Sequence, residues 1–219
     1  MKRFTPLVAA FGLAIWLPVI CSATNYTVTD LGTLGGTTSY GFGTNASGQV
    51  TGTTYTPGLG GQFHAYLYDG TMHDIGTLGG DLSTGIGINA SGHVTGWADT
   101  AGNVRHAFLY DGTMHDIGTL GGATSRGQSI NASGQSTGFA LTSGGDQRAF
   151  FYDGTMHDIG TLGGNDSIGL GINDGGQVTG YADTANNASV HAFLYDGTMH
   201  DLGTLGGIQS IGYGINASG

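Results

Sequence analysis

Residues 106–122 read HAFLYDGTMHDIGTLGG, and this stretch decides the fold. The segment from His106 to Tyr110 is apolar on both faces, which is typical of a strand that is covered on both sides. Asp111-Gly112 is a strong signal for a two-residue hairpin turn. We therefore expect the chain to return through Thr113 to Ile117 as a second, antiparallel strand.

The same stretch recurs along the chain at an almost constant interval. Its final TLGG recurs in steps of 44, 42, 42 and 43 residues, ending at Gly36, Gly80, Gly122, Gly164 and Gly207. A period of this length indicates a modular, stacked or circular architecture. The chain divides into four units and a partial fifth, at about residues 37–80, 81–122, 123–164, 165–207 and 208–219.

Each unit contains another hairpin ahead of this stretch. In the second unit, a strand at Gly85 to Asn89 meets the turn Asn89-Ala90-Ser91-Gly92, and a strand from His93 to Trp97 follows. Four short antiparallel strands per unit predict an all-β repeat protein that resembles a β-propeller, whose blades bury one another. Another β repeat, such as a solenoid, is the alternative, although solenoid coils normally use shorter repeats.

The N-terminal residues have the pattern of an export signal. Lys2-Arg3 precedes an apolar run from Leu7 to Ile20, and Cys21-Ser22-Ala23 supplies small residues for cleavage. We therefore predict a signal peptide at residues 1–23 and a secreted or cell-surface repeat domain at residues 24–219. Alternatively, Cys21 would carry a lipid anchor, but the residue before it is not small. No later segment is apolar and long enough to predict a transmembrane helix.

Both ends of the repeat domain match parts of a unit. Residues 26–36 match the fourth strand, and residues 208–219 match the first strand and its turn. A first and a fourth strand are not neighbours in a blade, so the two ends cannot complete one blade together. We therefore expect this sequence to be a fragment of a longer chain.

The charge balance limits the choice of partners. The chain has five Lys and Arg residues against fifteen acids, all aspartate, and a net charge of −10. Loss of Lys2 and Arg3 with the signal peptide changes this to −12. Such a surface repels phosphates, so nucleic acid is not expected as a partner, whereas cations, neutral sugars and basic proteins remain compatible. The one cysteine, Cys21, lies in the signal peptide, so the repeat domain has no thiolate for a disulfide or metal site.

The segments HAFLYDGTMHDIGTLGG and GINASGxVTG together resemble the HAF family of bacterial extracellular repeats, named for its His-Ala-Phe triplet. His106-Ala107-Phe108 and His191-Ala192-Phe193 match the triplet in full. His64-Ala65-Tyr66 and Arg148-Ala149-Phe150 each depart from it by one residue. The resemblance implies a secreted or cell-surface bacterial protein, and it implies no enzymatic activity for any residue.

A Met-His-Asp series ends each unit and invites a metal or acid-base interpretation. The pairs are His73-Asp74, His115-Asp116, His157-Asp158 and His200-Asp201. Adjacent residues on a strand point to opposite faces, so one pair cannot chelate one ion. We interpret the aspartates as acceptors of turn and backbone hydrogen bonds. A ring of identical ligands around a propeller axis is the alternative.

Five residues are candidates for ligand binding: Trp97, Asp99, Phe139, Tyr181 and Asp183. The three rings directly follow the glycine that closes the second strand of their units. Aromatic faces beside carboxylates can stack on sugars or help to hold calcium, although no cofactor is required. Alternatively, the rings simply pack between blades.

The function predicted from these features is a non-enzymatic scaffold or binding module outside the cell, with carbohydrate or protein as its ligand. No GxSxG, HExxH, P-loop or calcium-loop motif is present, so no residue is assigned a catalytic role. The alternative is a propeller-type hydrolase or lyase that acts on extracellular polysaccharide. Its site would need residues that break the repeat. These are mainly Trp97, Arg105, Arg126 and Arg148, which are too few and too scattered in the sequence to be given catalytic roles.

Overall fold

The structure is a computed structural model that describes residues 27–59 and 61–219. The predicted signal peptide at residues 1–23 lies outside the described residues. Strand accounts for 56% and helix for 3% of the structure, which confirms the all-β prediction. Within the described residues, no helix is long and apolar enough to cross a membrane.

The described residues form four sheets of four strands, which follow one another along the chain. The first sheet contains β1 (Ser39–Thr44), β2 (Val50–Thr56), β3 (Gln62–Tyr68) and β4 (Met72–Gly76). The second contains β5 (Gly79–Ile88), β6 (Val94–Thr100), β7 (Arg105–Tyr110) and β8 (Met114–Asp116). The third contains β9 (Gly121–Ile130), β10 (Ser136–Thr142), β11 (Gln147–Tyr152) and β12 (Met156–Asp158). The fourth contains β13 (Gly163–Ile172), β14 (Val178–Thr184), β15 (Val190–Tyr195) and β16 (Met199–Asp201). Short 3-10 helices occupy the loops after β2 and β14, at Pro57–Leu59 and Ala185–Asn187.

Every sheet has its strands in chain order, and each neighbouring pair is antiparallel. The predicted unit of four antiparallel, blade-like strands is therefore confirmed. The hairpin forms at Asp111-Gly112, but Tyr110 pairs with Met114, so the turn has three residues instead of the two expected. The Asp111 N–H donates to the Thr113 carbonyl at 3.3 Å within it. Gly112 has a φ of 113°, a left-handed conformation that favours glycine.

The first strand of a unit is longer than the sequence predicts. Strand β5 begins at Gly79 instead of Gly85, because its partner β6 continues beyond Trp97 to Thr100. Gly79 pairs with Thr100 across a bulge and has a φ of 98°, so the TLGG glycines belong to the start of the strand. The periodic glycines thus form part of the sheet and do not separate one unit from the next.

The partial units at the two ends do not form the predicted strands. Residues 27–38 contain no strand, unlike the leading strand predicted for residues 26–36. Residues 208–219 likewise contain no strand, although Gln209 bridges Val190. A fourth strand normally pairs with the third strand of its own unit, and a first strand with the second. Within the described residues, these segments lack those partners.

The apolar core lies between successive sheets. Phe108 is fully buried and belongs to one cluster with Ala65 and Ile75 of the preceding sheet. Phe150 likewise clusters with Ala107 and Ile117 of the unit before it. Burial of one such side chain stabilises the fold by about 1.5–3 kcal/mol. Each unit therefore covers the apolar face of its neighbour.

Sheets approach closely because a glycine of one unit faces a threonine of the unit before it. A Cβ on Gly127 would lie 2.2 Å from Thr95 Oγ1. That hydroxyl donates a hydrogen bond to the Phe108 carbonyl at 2.9 Å, so it is held in place. The arrangement recurs for Thr51 and Gly85, Thr137 and Gly169, and Thr179 and Gly212.

A buried serine also joins each unit to the one before it. The Ser125 hydroxyl accepts a hydrogen bond from the Ala107 N–H at 2.8 Å and donates one to the Gly118 carbonyl. Equivalent bonds are made by Ser83, Ser167 and Ser210. The HAF alanine therefore lies where its backbone N–H is satisfied by the following unit.

The glycine-threonine contact predicts a specific loss of stability. Gly127→Ala should lower the free energy of unfolding by about 1–3 kcal/mol, because the new methyl group overlaps Thr95 in a filled interface. Urea denaturation measures this change. The control is Gly144→Ala, whose new methyl would have Thr142 Oγ1 at 3.6 Å as its nearest neighbour. Equal losses for the two variants would contradict the close packing described here.

Candidate functional site

The candidate site is a cavity of about 390 Å³ between the second and third sheets, here named the inter-unit pocket. Strands β6 and β7 with their connecting turn form one wall, and β9 and β10 form the other. The residues that line it are Asp99, Asn103, Val104, Arg105, Thr124, Ser125, Arg126 and Phe139. Two units contribute to the pocket, so it depends on their packing against each other.

Strand register brings the polar and aromatic groups of the pocket together. Asp99 on β6 lies directly opposite Arg105 on β7, and Arg126 on β9 lies opposite Phe139 on β10. Residues that face each other on antiparallel strands have their side chains on the same face of the sheet. Each wall therefore presents one arginine, beside a carboxylate on one side and a phenyl ring on the other.

Arg105 is held by an aromatic ring. Its guanidinium carbon lies 3.7 Å from the centroid of the Trp97 ring. Such a cation-π contact stabilises an exposed pair by about 0.5–1 kcal/mol. Stacking uses the flat face of the guanidinium group and leaves the N–H groups at its edge able to donate.

Arg126 is a partly buried cation whose surroundings disfavour its charge. Burial, and secondly the positive charge of Arg105, lower the pKa of Arg126 below its ordinary value. Its Nε is buried and has no hydrogen-bond partner among the described residues. The protein therefore leaves part of this cation uncompensated.

The structure brings together some of the predicted binding residues and separates others. Asp99 and Phe139 line the same pocket although they lie in different units. Trp97 is adjacent to it through its contact with Arg105. Tyr181 and Asp183 lie on β14 in the next unit, outside this pocket. The five residues therefore do not form one site.

Arg105 and Arg126 are members of the site to which the sequence alone gave no role. They lie 21 residues apart, and only the packing of one unit on the next brings them to one cavity. Both are departures from the repeat. The feature that could have identified them is that each arginine replaces a neutral residue at a strand position that faces a neighbouring unit.

The repeated histidines and aspartates form two kinds of pair. His64 Nδ1 lies 2.9 Å from Asp74 Oδ2 on the neighbouring strand, and His73 Nε2 lies 2.9 Å from Asp69 Oδ1 across the hairpin. His73 and Asp74 therefore have different partners, as opposite faces require. Asp74 also accepts a hydrogen bond from the Gly76 N–H at 2.8 Å, which agrees with its interpretation as a structural acceptor. Between residues 27 and 219, with residue 60 excepted, no group of three His, Cys, Asp or Glu side chains could hold a metal ion.

The third unit shows what happens when the histidine of the HAF triplet is absent. Arg148 replaces it and pairs with Asp146 at 3.1 Å instead of with Asp158. Asp158 still accepts the hydrogen bond from the Gly160 N–H at 2.8 Å. The turn is therefore kept without the histidine, which indicates that the histidine-aspartate pair supports the fold without being essential to it.

A second cavity is lined by the Asn-x-x-Gly turns of successive units. The asparagines in it, which include Asn89, Asn131 and Asn173, form a ladder. Asn89 Nδ2 donates to the Asn131 carbonyl at 3.0 Å, and its Oδ1 accepts from the backbone N–H groups of its own turn. Asn131 and Asn173 repeat this pattern. These side chains are already occupied by the fold, so this cavity is a weaker candidate for a site.

The His64-Asp74 pair predicts an effect of pH. Burial alone would raise the pKa of the Asp74 carboxyl, but hydrogen bonds from His64 and Gly76 outweigh it and lower the pKa below 3.8. Ionised Asp74 therefore stabilises the folded protein above pH 3.8, and this stabilisation is lost as the pH falls through the lowered value. Asp74→Asn should reduce stability at neutral pH, and its difference from the unaltered protein should shrink between about pH 5 and pH 2.

Asp158→Asn is the matched control for this experiment. It removes the equivalent hydrogen bond to a turn N–H, but the position of the histidine is occupied by Arg148. Denaturation at a series of pH values should show a smaller and less pH-dependent loss for Asp158→Asn than for Asp74→Asn. Identical curves for the two variants would show that the histidine contributes nothing.

A scan of the chain against models of protein families finds no match, and a search of curated proteins finds none either. The residues that depart from the repeat, and the pocket in which they meet, are therefore the basis for assigning a function.

Proposed function

We propose that this protein is a non-enzymatic binding module that acts outside the cell or at its surface, and that it binds carbohydrate in the inter-unit pocket. The proposal depends on one observation: an aromatic ring, a carboxylate and two guanidinium groups from two units line one cavity. Phe139 can stack on the face of a sugar ring, Asp99 can accept hydrogen bonds from hydroxyls, and Arg105 can donate them.

The size and setting of the pocket support this proposal. Its volume of about 390 Å³ falls within the usual range for small-ligand sites. Its walls are strands that are held by inter-unit packing, so the groups are positioned before a ligand arrives. The predicted signal peptide and the resemblance to HAF repeats support a location outside the cell.

The composition of the pocket favours binding over hydrolysis. Most glycoside hydrolases place two carboxyl groups on either side of the bond that they cleave. Among the described residues that line the inter-unit pocket, Asp99 alone carries a carboxylate. Calcium binding is not favoured either, because two arginines share the pocket with that single carboxylate.

Replacement of the aromatic ring tests the proposal. Phe139→Thr introduces the residue that the first unit has at the equivalent position, Thr53. It should weaken the binding of an oligosaccharide by about tenfold, which corresponds to the loss of one stacking contact. The oligosaccharide is selected on a glycan array, and its affinity is measured by isothermal titration calorimetry.

Tyr181→Thr is the control, because it makes a similar change at the same position of the fourth unit and outside the pocket. It should leave the affinity within about twofold of the unaltered protein, well below the effect of a lost stacking contact. Equal losses for both variants, or no binding to any glycan, would overturn the proposal. New reducing ends released from a bound polysaccharide would favour an enzyme instead.

A further inference from the structure

Among the described residues, most of the fixed positive charge lies at one place. The described residues contain fifteen aspartates but only three Lys or Arg residues, namely Arg105, Arg126 and Arg148. Two of the three line the inter-unit pocket. With Asp99 as the one carboxylate of its lining, the pocket has a net positive charge on a strongly negative protein.

The pocket arginines are not neutralised within the described part of the chain. Arg148 forms an ion pair with Asp146 at 3.1 Å, whereas neither Arg105 nor Arg126 has a carboxylate of residues 27–59 or 61–219 within salt-bridge distance. Arg105 stacks on Trp97, and Arg126, like Arg148, has a buried Nε without a hydrogen-bond partner among the described residues. Two neighbouring cations in a partly buried cavity repel each other, and a bound anion would relieve that repulsion.

The fold does not require an arginine at either position. Units without it pack in the same way with neutral residues. At the position of Arg105 the other units have Phe63, Gln147 and Val190. At the position of Arg126 they have Tyr40, Thr84 and Ile168. The coincidence of two arginines at one junction therefore calls for an explanation other than packing.

The geometry also limits the kind of anion. Phe139 and Arg126 lie opposite each other on β10 and β9, so one ligand can present an apolar ring face to one and a charge to the other. The surrounding aspartates disfavour a densely charged polymer such as nucleic acid, but salt at physiological strength screens charges beyond about 8 Å. A sugar chain that is neutral except for one anionic group offers a ring face beside a charge, and it carries too little charge to be repelled by the surrounding aspartates.

We propose that the inter-unit pocket selects an acidic sugar, and that Arg105 and Arg126 bind its carboxylate or sulfate group while Phe139 stacks on its ring. This inference rests on the proposed function, because it names the class of carbohydrate that the same pocket binds. Planar guanidinium groups can donate paired hydrogen bonds to either anion. Trp97 is a positioning residue, since it holds the Arg105 guanidinium at the pocket without lining it.

Three probes test the inference on the full chain by isothermal titration calorimetry. The first is an oligosaccharide with one glucuronic acid residue, the second is the same oligosaccharide with that carboxyl reduced to an alcohol, and the third carries a sulfate on that alcohol. The acidic probes should bind at least about tenfold more tightly than the reduced one, because charge-assisted hydrogen bonds are lost on reduction. Their advantage should decrease as salt is raised.

Three variants test whether the preference for the acidic probes arises from the arginines of the inter-unit pocket. Arg126→Thr and Arg105→Gln introduce residues that Thr84 and Gln147 already provide at equivalent positions of other units, so folding should be retained. Each should abolish most of the preference for the acidic probes over the reduced one, because it removes a charged donor to the anionic group. Arg148→His restores the repeat residue outside the pocket and should leave the preference intact. Loss of the preference in Arg148→His as well would overturn the assignment to the pocket.

The outcomes separate this inference from the proposed function. Equal binding of the acidic and reduced probes would overturn the selection of an anion and leave carbohydrate binding in place. Failure of all three probes, together with a negative glycan array, would overturn both. Tighter binding of the glucuronic acid probe than of the sulfated one would identify the carboxylate as the preferred group, and the reverse would identify sulfate.

Discussion

The structure depends on the contact between the face of one sheet and the first strand of the next. Gly127 has no side chain, so the second and third sheets approach until Thr95 lies against the glycine backbone. At that separation Phe108 and Phe150 are fully buried, and the Ser125 hydroxyl reaches the backbone of the preceding unit. The apolar clusters span two units, so an isolated unit would expose much of its apolar surface to water.

The same contact explains how a protein built of similar units can have a binding pocket with distinctive residues at one junction. Because the junctions between units have the same strand pairing and spacing, a substitution at a junction changes the chemistry of a surface without changing the framework beneath it. The position of Arg126 is occupied by Thr84 in one unit and Ile168 in another, and all three form the same strand pair. Function in such a protein is therefore expected where units differ, and stability where they agree.

Much of the fold could be predicted because its signals are local. The Asp-Gly turn after Tyr110 and the Asn-x-x-Gly turn after Ile88 define two hairpins by themselves. The start of β5 at Gly79 was not predictable, because it depends on how far the partner strand continues. Residues 27–38 carry the pattern of an outer strand without forming one, since a strand also needs a partner.

The site was harder to predict than the fold, because its residues meet only through the packing of units. Trp97, Asp99 and Phe139 could be selected from a pattern of rings and carboxylates, but nothing local connects Arg105 with Arg126.

The histidine-aspartate pairs and the arginines differ in how regularly they recur among the units. The histidine-aspartate pairs recur in most units, and the third unit keeps its turn with Arg148 in place of the histidine, which agrees with a structural interpretation of these pairs. Arg148, which stands in place of that histidine in the third unit, has Asp146 at 3.1 Å to neutralise its charge. The arginines of the pocket have no such partner within the described residues, although the chain is rich in aspartate. Among the described residues, one arginine is paired with a carboxylate and two are not, and this difference is the basis on which we propose that the pocket arginines bind an anion.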